Sequence, residues 1–349
     1  MFAILLGFIT AFTLSYLAIP PILQVAHKKK LYDAPNERSA HAKPTPLLGG
    51  VAIFAGAICG IVLWTPEHTF GGLQHVLAAL VIIFLIGIRD DMLPMAPRKK
   101  LLGQVLAALI LVYKANVKIT SLDGILGIQE LPELAGFGLS VVAIVGLINA
   151  FNLIDGINGL AASTGLLACL TLGLWFAGAE QVEFAVLAFS LAGALVAFLK
   201  YNVTPARIFM GDTGAMLTGA VCAVLAIKFI ELDRLLPQAN SFRLGAAPAI
   251  ATAVLILPLF DTLWVMTRRF LQGRSLFYPD RSHIHHMLLD TGLSHMQATG
   301  ILVLLNALIV LWVVALHTLG TNWLLLLELV FALTLAIWLH RHERRVISR

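Results

Sequence analysis

The chain has 349 residues, of which 59% are hydrophobic and 12% charged, against roughly 45–50% and about 25% in an ordinary soluble domain. With a mean hydropathy of +0.90, this composition excludes a soluble enzyme. Apolar residues run from Phe2 to Leu339, which also excludes a soluble domain on a single membrane anchor. The net charge is +5. In a membrane protein, basic residues are first explained by their enrichment in cytoplasmic loops, so the charge does not predict a nucleic-acid partner, and none is expected.

Eleven apolar segments have about the 20 residues that a helix needs to cross the hydrocarbon core of a bilayer. No repeat or linker divides them, so we expect one all-α polytopic transmembrane domain over residues 1–349. The segments are 2–26, 47–64, 69–88, 101–115, 134–151, 157–177, 182–199, 214–230, 244–266, 298–319 and 322–339.

Lysine and arginine residues predict the orientation of these helices, because positively charged loops stay in the cytoplasm. Of the 24 such residues, 19 fall in the odd-numbered loops or the C-terminal tail. The N-terminus is therefore predicted outside and the C-terminus in the cytoplasm. The same assignment gathers five polar segments on the cytoplasmic side, and these form the candidate site. They are loop one (26–46), loop three (89–100), loop five (152–156), loop seven (200–213) and loop nine (267–297).

Two adjacent carboxylates, Asp90 and Asp91, follow the third apolar segment directly. Such neighbours repel each other, and a divalent cation or a metal-bound polyphosphate would relieve the repulsion. A solvated helix end with Arg89 as partner explains the two residues as well.

Loop five spaces the polar residues Asn149, Asn152, Asp155 and Asn158 at intervals of three. If the segment is helical, all four project to roughly one face. Gly156 indicates that the helix breaks here and lets the backbone approach a ligand. Capping between two spans would explain one or two of these residues but not four.

Loop seven ends in Phe-Met-Gly-Asp-Thr-Gly at 209–214 and runs straight into the eighth apolar segment. A helix N-terminus with small residues is a ready anion site, and Asp212 would hold a metal on that anion. An N-cap alone also explains Asp212 or Thr213.

Loop nine combines four arginines with His283, His285 and His286. His283 and His286 have a spacing that could bind zinc, but no cysteine accompanies them and the neighbouring arginines disfavour a cation. Arginine and histidine side chains suit phosphate or sugar hydroxyls better. A basic loop that touches anionic lipid is the alternative.

Together with Asp-Ala-Pro-Asn-Glu-Arg-Ser-Ala-His at 33–41, these segments resemble, in order and over nearly the whole chain, the polyprenyl-phosphate N-acetylhexosamine-1-phosphate transferases of glycosyltransferase family 4. Ile284 interrupts the three consecutive histidines typical of the muramoyl branch, which favours the N-acetylglucosamine branch. Many bacterial relatives have a second aspartate where this chain has Asn158. That substitution makes Asn158 a better candidate for hydrogen bonding to uracil than for binding a metal.

The resemblance implies transfer of N-acetylglucosamine 1-phosphate from UDP-N-acetylglucosamine to undecaprenyl phosphate, with release of UMP. It implies Mg²⁺ as cofactor, with Mn²⁺ as a substitute, and a bacterial inner-membrane location with the site facing the cytoplasm. The product would enter a cell-surface polysaccharide pathway such as O-antigen or enterobacterial common antigen synthesis.

Individual roles follow from the same resemblance. Asp212 and Asn152 are the expected metal ligands, and Asp90, Asp91 and Asp155 the expected catalytic carboxylates around the metal and acceptor phosphate. Residues expected to contact phosphate, uracil or sugar are Lys100, Asn158, Phe209, Arg281, His283, His285 and His286.

Two alternatives stay open at this point. The donor could be another UDP-N-acetylhexosamine, and eleven spans would also suit a secondary transporter. Transporters place ionisable groups near the bilayer midplane. Here the carboxylates flank the spans on one side: only Glu328 clearly lies within a predicted span, and Asp261 lies towards the predicted cytoplasmic end of another. Whether the protein is a monomer or a homodimer is also open.

Overall fold

A computed structural model describes residues 1–29, 31–33, 44–273 and 283–347. The chain there is almost entirely helical, with two short hairpins. The helices are α1 Phe2–Lys29, α2 Gly49–Trp64, α3 Glu67–Met92, α4 Pro97–Tyr113, α5 Glu133–Ile154, α6 Leu160–Gly178, α7 Val182–Asn202, α8 Gly211–Leu235, α9 Ala247–Val254, α10 Ile256–Leu271, α11 Ile284–Asp290, α12 His295–Ala315 and α13 Thr321–Ile347. The strands are β1 Tyr32–Asp33, β2 Thr45–Pro46, β3 Ser121–Ile125 and β4 Ile128–Glu130.

A helical protein that crosses the membrane several times is confirmed. Within the described ranges, eight helices are long and apolar enough to cross a bilayer, or nine if one bent pair counts as a span. Every predicted segment is helical, but α2 has 16 residues and α4 has 17, below the usual length of a span. The count of eleven spans and the orientation stay predictions.

The ninth predicted segment is not one straight helix. It divides at Leu255 into α9 and α10, whose axes differ by 76°. Pro258 lies in the first turn of α10 and has no N–H with which to bond the carbonyl of Val254, which favours a kink or a break at this point. The second part of the segment, α10, packs alongside α5.

Helix α8 forms the centre of the bundle. Within its most apolar stretch 78% of the residues are buried, compared with 28% in α1 and in α13. Small residues allow this packing, because a Cβ at Gly50 in α2 or Gly87 in α3 would collide with the first turn of α8. The N-terminus of α8 is therefore held between α2 and α3.

The hairpin β3–β4 was not part of the all-α prediction. It lies between α4 and α5, at the opposite end of the bundle from loop three. Arg234 at the end of α8 anchors it through Glu130, at 2.6 Å, and through Thr120, at 2.7 Å. The chain turns at Leu126 and Gly127, both with positive φ, and Ile125 pairs with Ile128 across the turn.

Candidate active site

Five of the predicted site residues converge at one end of the bundle. Asp90 and Asp91 lie in the last turn of α3, and Lys100 near the start of α4. Asn152 lies in the last turn of α5, and Asp212 in the first turn of α8. Hydrogen bonds and ion pairs join all five into one network, which we call the carboxylate–lysine cluster.

Asp91 caps helix α8. Its Oδ1 accepts the backbone N–H of Asp212 at 2.7 Å, and its Oδ2 accepts the backbone N–H of Thr213 at 3.1 Å. The Thr213 hydroxyl donates to the same Oδ2 at 2.5 Å. Gly211 precedes this turn with φ +68°, and a Cβ there would strike the Asp91 carboxylate. Asp91 therefore fixes the position of its neighbour along α8, Asp212.

This arrangement changes the expected use of the α8 N-terminus. Free N–H groups in the first turn of a helix attract phosphate, as the sequence suggested. Here the N–H groups of Asp212 and Thr213 already bond to a carboxylate of the protein itself. An incoming phosphate must therefore find its donors on side chains.

Lys100 lies at the centre of the carboxylate–lysine cluster. Its Nζ pairs with the Asp212 carboxylate, and lies 3.4 Å from Asp90 Oδ2 and 3.5 Å from Asn152 Oδ1. Asn152 Nδ2 in turn donates to Asp212 Oδ1 at 2.8 Å. The Lys100 side chain is 15% exposed and that of Asp212 26%, so both are accessible from the aqueous end.

Loop five is helical only as far as Ile154. Asn149 and Asn152 share one face of α5, and Asn149 bonds one turn deeper to Gln104 of α4, at 2.7 Å. Sequence reasoning missed Gln104, although a glutamine inside an apolar segment was a usable signal. Because the helix ends before Asp155, the four polar residues do not form the single row that a helix would give.

The Asp155 carboxyl follows α5 and has no hydrogen-bond partner among the described residues. Burial raises its pKa well above the ordinary aspartate value, and the nearby Asp91 carboxylate raises it further. Both effects disfavour the ionised form. A cation bound beside Asp155 would reverse this balance.

Asn158 ties loop five to loop seven and to α12. Its Nδ2 donates to Thr204 Oγ1 at 2.9 Å, and its backbone carbonyl accepts the Thr299 hydroxyl at 2.8 Å. Its Oδ1 has no partner within the described part of the chain. One amide acceptor thus remains available to a ligand.

Phe209 is half-buried where loop seven meets the start of α2. Its N–H donates to the carbonyl of Pro46 at 2.7 Å, and its own carbonyl accepts the N–H of Gly49 at 3.0 Å. These bonds fix the backbone of Phe209 just before Asp212.

Residues 274–282 of loop nine, which include Arg281, lie outside the described residues, as do residues 30 and 34–43 of loop one. His283 is followed by the short helix α11. Its Nδ1 lies 2.7 Å from Asp261 Oδ2, and the N–H of Ile284 donates to Asp261 Oδ1 at 2.7 Å. The sequence analysis gave Asp261 no role.

His285 packs against loop five. A Cβ at Gly156 would collide with its ring, so loop nine and loop five touch at this glycine. Burial lowers the pKa of His285 to about 3, which keeps the ring neutral. The rings of His285 and His286 lie 4.4 Å apart. His285 thus meets loop five, and no hydrogen bond joins it to the carboxylate–lysine cluster among the described residues.

Asp261, His283 and His285 bring their ligating atoms within 4.8 Å of one another, which raises the question of a metal. Two ligands at 2.0–2.1 Å from one tetrahedral zinc would lie roughly 3.3 Å apart. The Asp261–His283 separation of 2.7 Å is shorter and is a hydrogen-bond distance. The group is therefore best described as a hydrogen-bonded pair with a neutral histidine beside it.

The chain matches the family model described as glycosyl transferase family 4 over residues 73–230. That range begins within α3, includes the carboxylate–lysine cluster and loop five, and ends before loop nine.

Similar proteins extend the match to most of the chain. A probable undecaprenyl-phosphate N-acetylglucosaminyl 1-phosphate transferase of Bacillus subtilis is 31% identical over 93% of this chain and 87% of its own. A decaprenyl-phosphate N-acetylglucosaminephosphotransferase of Mycobacterium tuberculosis is 32% identical, over 85% and 78%. An undecaprenyl-phosphate alpha-N-acetylglucosaminyl 1-phosphate transferase of Escherichia coli O157:H7 is 31% identical, over 82% and 76%.

Proposed function

Because this chain belongs to glycosyl transferase family 4, we propose that it transfers N-acetylglucosamine 1-phosphate from UDP-N-acetylglucosamine to undecaprenyl phosphate. The products are undecaprenyl-diphospho-N-acetylglucosamine and UMP. The relatives' names carry the donor and acceptor classes. The observation that carries the proposal is the carboxylate–lysine cluster, which places oxygen ligands and a cation together at one end of the helix bundle.

The cluster fits Mg²⁺. Hard cations prefer carboxylate and amide oxygens, which Asp212 and Asn152 supply, with Asp155 nearby in loop five. The raised pKa of Asp155 fits as well, because a bound cation would favour the ionised form of this half-buried carboxyl, which has no hydrogen-bond partner among the described residues. When bound, Mg²⁺ would offset the negative charge of the reacting phosphates.

The protein's own residues have three tasks in the transfer. Lys100 exchanges part of its contact with Asp212 for a donor phosphate oxygen, since its ammonium is accessible and has three donors. Asp90 positions the acceptor phosphate. A base is dispensable, because a phosphate monoester has its second pKa near 6 and is largely ionised at neutral pH. An acceptor oxygen then bonds to the β-phosphorus as the bond from that phosphorus to UMP breaks.

Asp91 differs from Asp90 in this account. Both of its oxygens accept hydrogen bonds from the first turn of α8, so it acts on the reaction through Asp212. The nucleotide would lie on the loop-seven side, with Phe209 stacked on uracil and the Asn158 amide at a uracil edge. Loop nine, with Arg281 and His283, would hold the sugar phosphate.

The prenyl chain of the acceptor needs an apolar path into the site. A small apolar groove lies between α10, α12 and α13, lined by residues such as Phe260, Leu302 and Phe331. Ile284, which follows His283, also lines it. The groove therefore leads from the membrane side to loop nine, and we assign it to the first isoprene units.

The protein would act in a bacterial inner membrane with its site in the cytoplasm, where nucleotide sugars are made. The excess of lysine and arginine on this side supports the orientation. The product suits the first membrane step of surface polysaccharide synthesis, such as O-antigen or enterobacterial common antigen.

A donor panel tests the proposal. Purified protein in lipid receives radiolabelled UDP-N-acetylglucosamine, UDP-N-acetylgalactosamine or UDP-N-acetylmuramoyl-pentapeptide, each with undecaprenyl phosphate and Mg²⁺. We expect lipid-linked product and UMP from the first donor at least tenfold faster than from the others. If another donor reacts faster, the proposed reaction type stands and the proposed donor sugar is wrong. If no donor gives product, the proposal is rejected.

A further inference from the structure

Asp261 is a buried carboxylate to which neither the family resemblance nor the proposed reaction assigns a role. It lies in α10, shortly after the break at Leu255, and is 2% exposed. No lysine or arginine pairs with it among the described residues. Its two oxygens accept from two successive residues of loop nine, His283 through the ring and Ile284 through the backbone. A carboxylate in this environment must be compensated by the groups that it contacts.

The two contacts together define the orientation of the His283 ring. The backbone N–H of Ile284 occupies Oδ1 of Asp261, so Oδ2 is the oxygen that remains for the ring. An ionised carboxylate only accepts, so Nδ1 of His283 must carry the proton. The other ring nitrogen, Nε2, has no hydrogen-bond partner among the described residues. The tautomer therefore leaves Nε2 available to a ligand.

We propose that Asp261 is a positioning residue that holds a proton on His283 Nδ1 and thereby presents the Nε2 lone pair, as a hydrogen-bond acceptor, to a hydroxyl of the sugar in the nucleotide-sugar donor. The inference rests on the proposed function for the identity of that ligand. The break in the ninth segment serves this role, because α10 after the break places Asp261 in contact with His283 and Ile284 of loop nine.

The isosteric change Asp261→Asn gives a specific prediction. The single amide oxygen accepts the N–H of Ile284, so the amide Nδ2 must face His283 Nδ1 and donate to it. The ring then moves its proton to Nε2. Packing is preserved while the tautomer changes, which separates positioning from bulk stability.

The first test needs no enzymatic activity. Full-length protein labelled with ¹⁵N-histidine is studied in lipid bilayers by solid-state NMR, and His283→Gln identifies the His283 signal by its loss. We expect a protonated, hydrogen-bonded Nδ1 in the wild type and an unprotonated Nδ1 in Asp261→Asn. An unprotonated Nδ1 in the wild type, or the same signal in both proteins, would overturn the inference.

The second test is a double-mutant cycle on transfer. We expect Asp261→Asn to lower kcat by about tenfold or more with UMP affinity retained, and to have little further effect in the His283→Gln background. Asp233→Asn is the matched control, because Asp233 is also 2% exposed and accepts two backbone N–H groups, at 2.7 and 3.0 Å, but contacts no active-site histidine. Its kcat per folded protein should not change.

The outcomes separate the two claims. If the losses of kcat caused by Asp261→Asn and His283→Gln multiply in the double variant, the positioning role is rejected. It is also rejected if Asp261→Asn keeps the wild-type kcat. Either result leaves the proposed transfer intact. Absence of transfer in the wild type, with the expected NMR signals, would reject the proposed reaction and leave the Asp261–His283 pair established.

Discussion

The carboxylate of Asp91 in α3 accepts the backbone N–H of Asp212 in α8 at 2.7 Å. A residue at the end of one helix thus fixes the first turn of another, 121 residues later in the chain. The Asp212 side chain in turn contacts Lys100 and Asn152. The geometry of the site therefore depends on how α3 and α8 pack, and not only on the loops.

This relationship predicts different behaviour for two adjacent aspartates. Asp91→Ala should lower the free energy of unfolding by about 1–3 kcal/mol, because buried donors in the first turn of α8 lose their acceptor. Asp90→Ala should cost less, since its N–H partner at Met95 lies in an exposed connection where water can replace it. Thermal unfolding in detergent measures both. Equal melting temperatures for Asp91→Ala and the wild type would contradict the capping role.

The raised pKa of Asp155 predicts a pH-dependent stability. The pKa of Asp155 in the native state lies above its value of about 3.9 in the unfolded state. At a pH between these two pKa values, the native state binds more protons than the unfolded state. Stability from this group is therefore present at low pH and is lost as pH rises through the native pKa. In metal-free protein, Asp155→Asn should melt higher than the wild type, by a margin that grows from pH 5 to pH 8. Glu67→Gln, an exposed carboxylate at the far end of α3, is the control, and a pH-independent margin for Asp155→Asn would refute the prediction.

Asn158 should act on nucleotide binding. Its Oδ1 is available while Nδ2 bonds to Thr204, so Asn158→Ala should raise the KM for the donor and weaken UMP binding, with kcat falling less. Thr204→Val removes only the hydroxyl that orients the amide and should give a smaller effect of the same kind. Titration calorimetry with UMP provides the measurement. A strong shift in Mg²⁺ requirement with normal UMP binding would instead place Asn158 at the metal.

Loop nine should act on the sugar phosphate and not on the nucleotide. Arg281→Ala and His283→Ala are expected to reduce turnover while UMP affinity stays within about twofold, because UMP lacks the sugar phosphate that these residues would hold. Steady-state rates and UMP calorimetry on the same preparations test this. If UMP affinity falls as much as turnover, the loop lies over the uridine.

The sequence predicted the helical class, the apolar segments and the residues of the cluster, because hydropathy and local motifs carry those features. It could not predict which partner each of the two carboxylates of loop three, Asp90 and Asp91, would contact. Adjacent residues on a helix point about 100° apart, so Asp90 faces Lys100 while Asp91 faces α8. Which partner each one meets depends on helix packing, which no local pattern encodes.

The residues that were missed have the same explanation. Gln104 and Asp261 each lie inside an apolar segment, where a single polar residue looks like an exception. Their partners, Asn149 and His283, are 45 and 22 residues away. The break at Leu255 was also missed, although Pro258 within a predicted span was a signal for it.

The central claim is that a sugar 1-phosphate, and not the sugar alone, moves to the lipid with the help of the cluster at Asp212. The most direct measurement uses UDP-N-acetylglucosamine carrying ³²P at the β-phosphate and ³H in the sugar, with undecaprenyl phosphate and Mg²⁺. Both labels should enter the lipid product in a 1:1 ratio while unlabelled UMP is released. Chelation should abolish the transfer, and Asp212→Ala should slow it by more than about a hundredfold. Release of ³²P-labelled UDP with only ³H in the lipid, or chelator-resistant transfer at the wild-type rate in Asp212→Ala, would contradict the account.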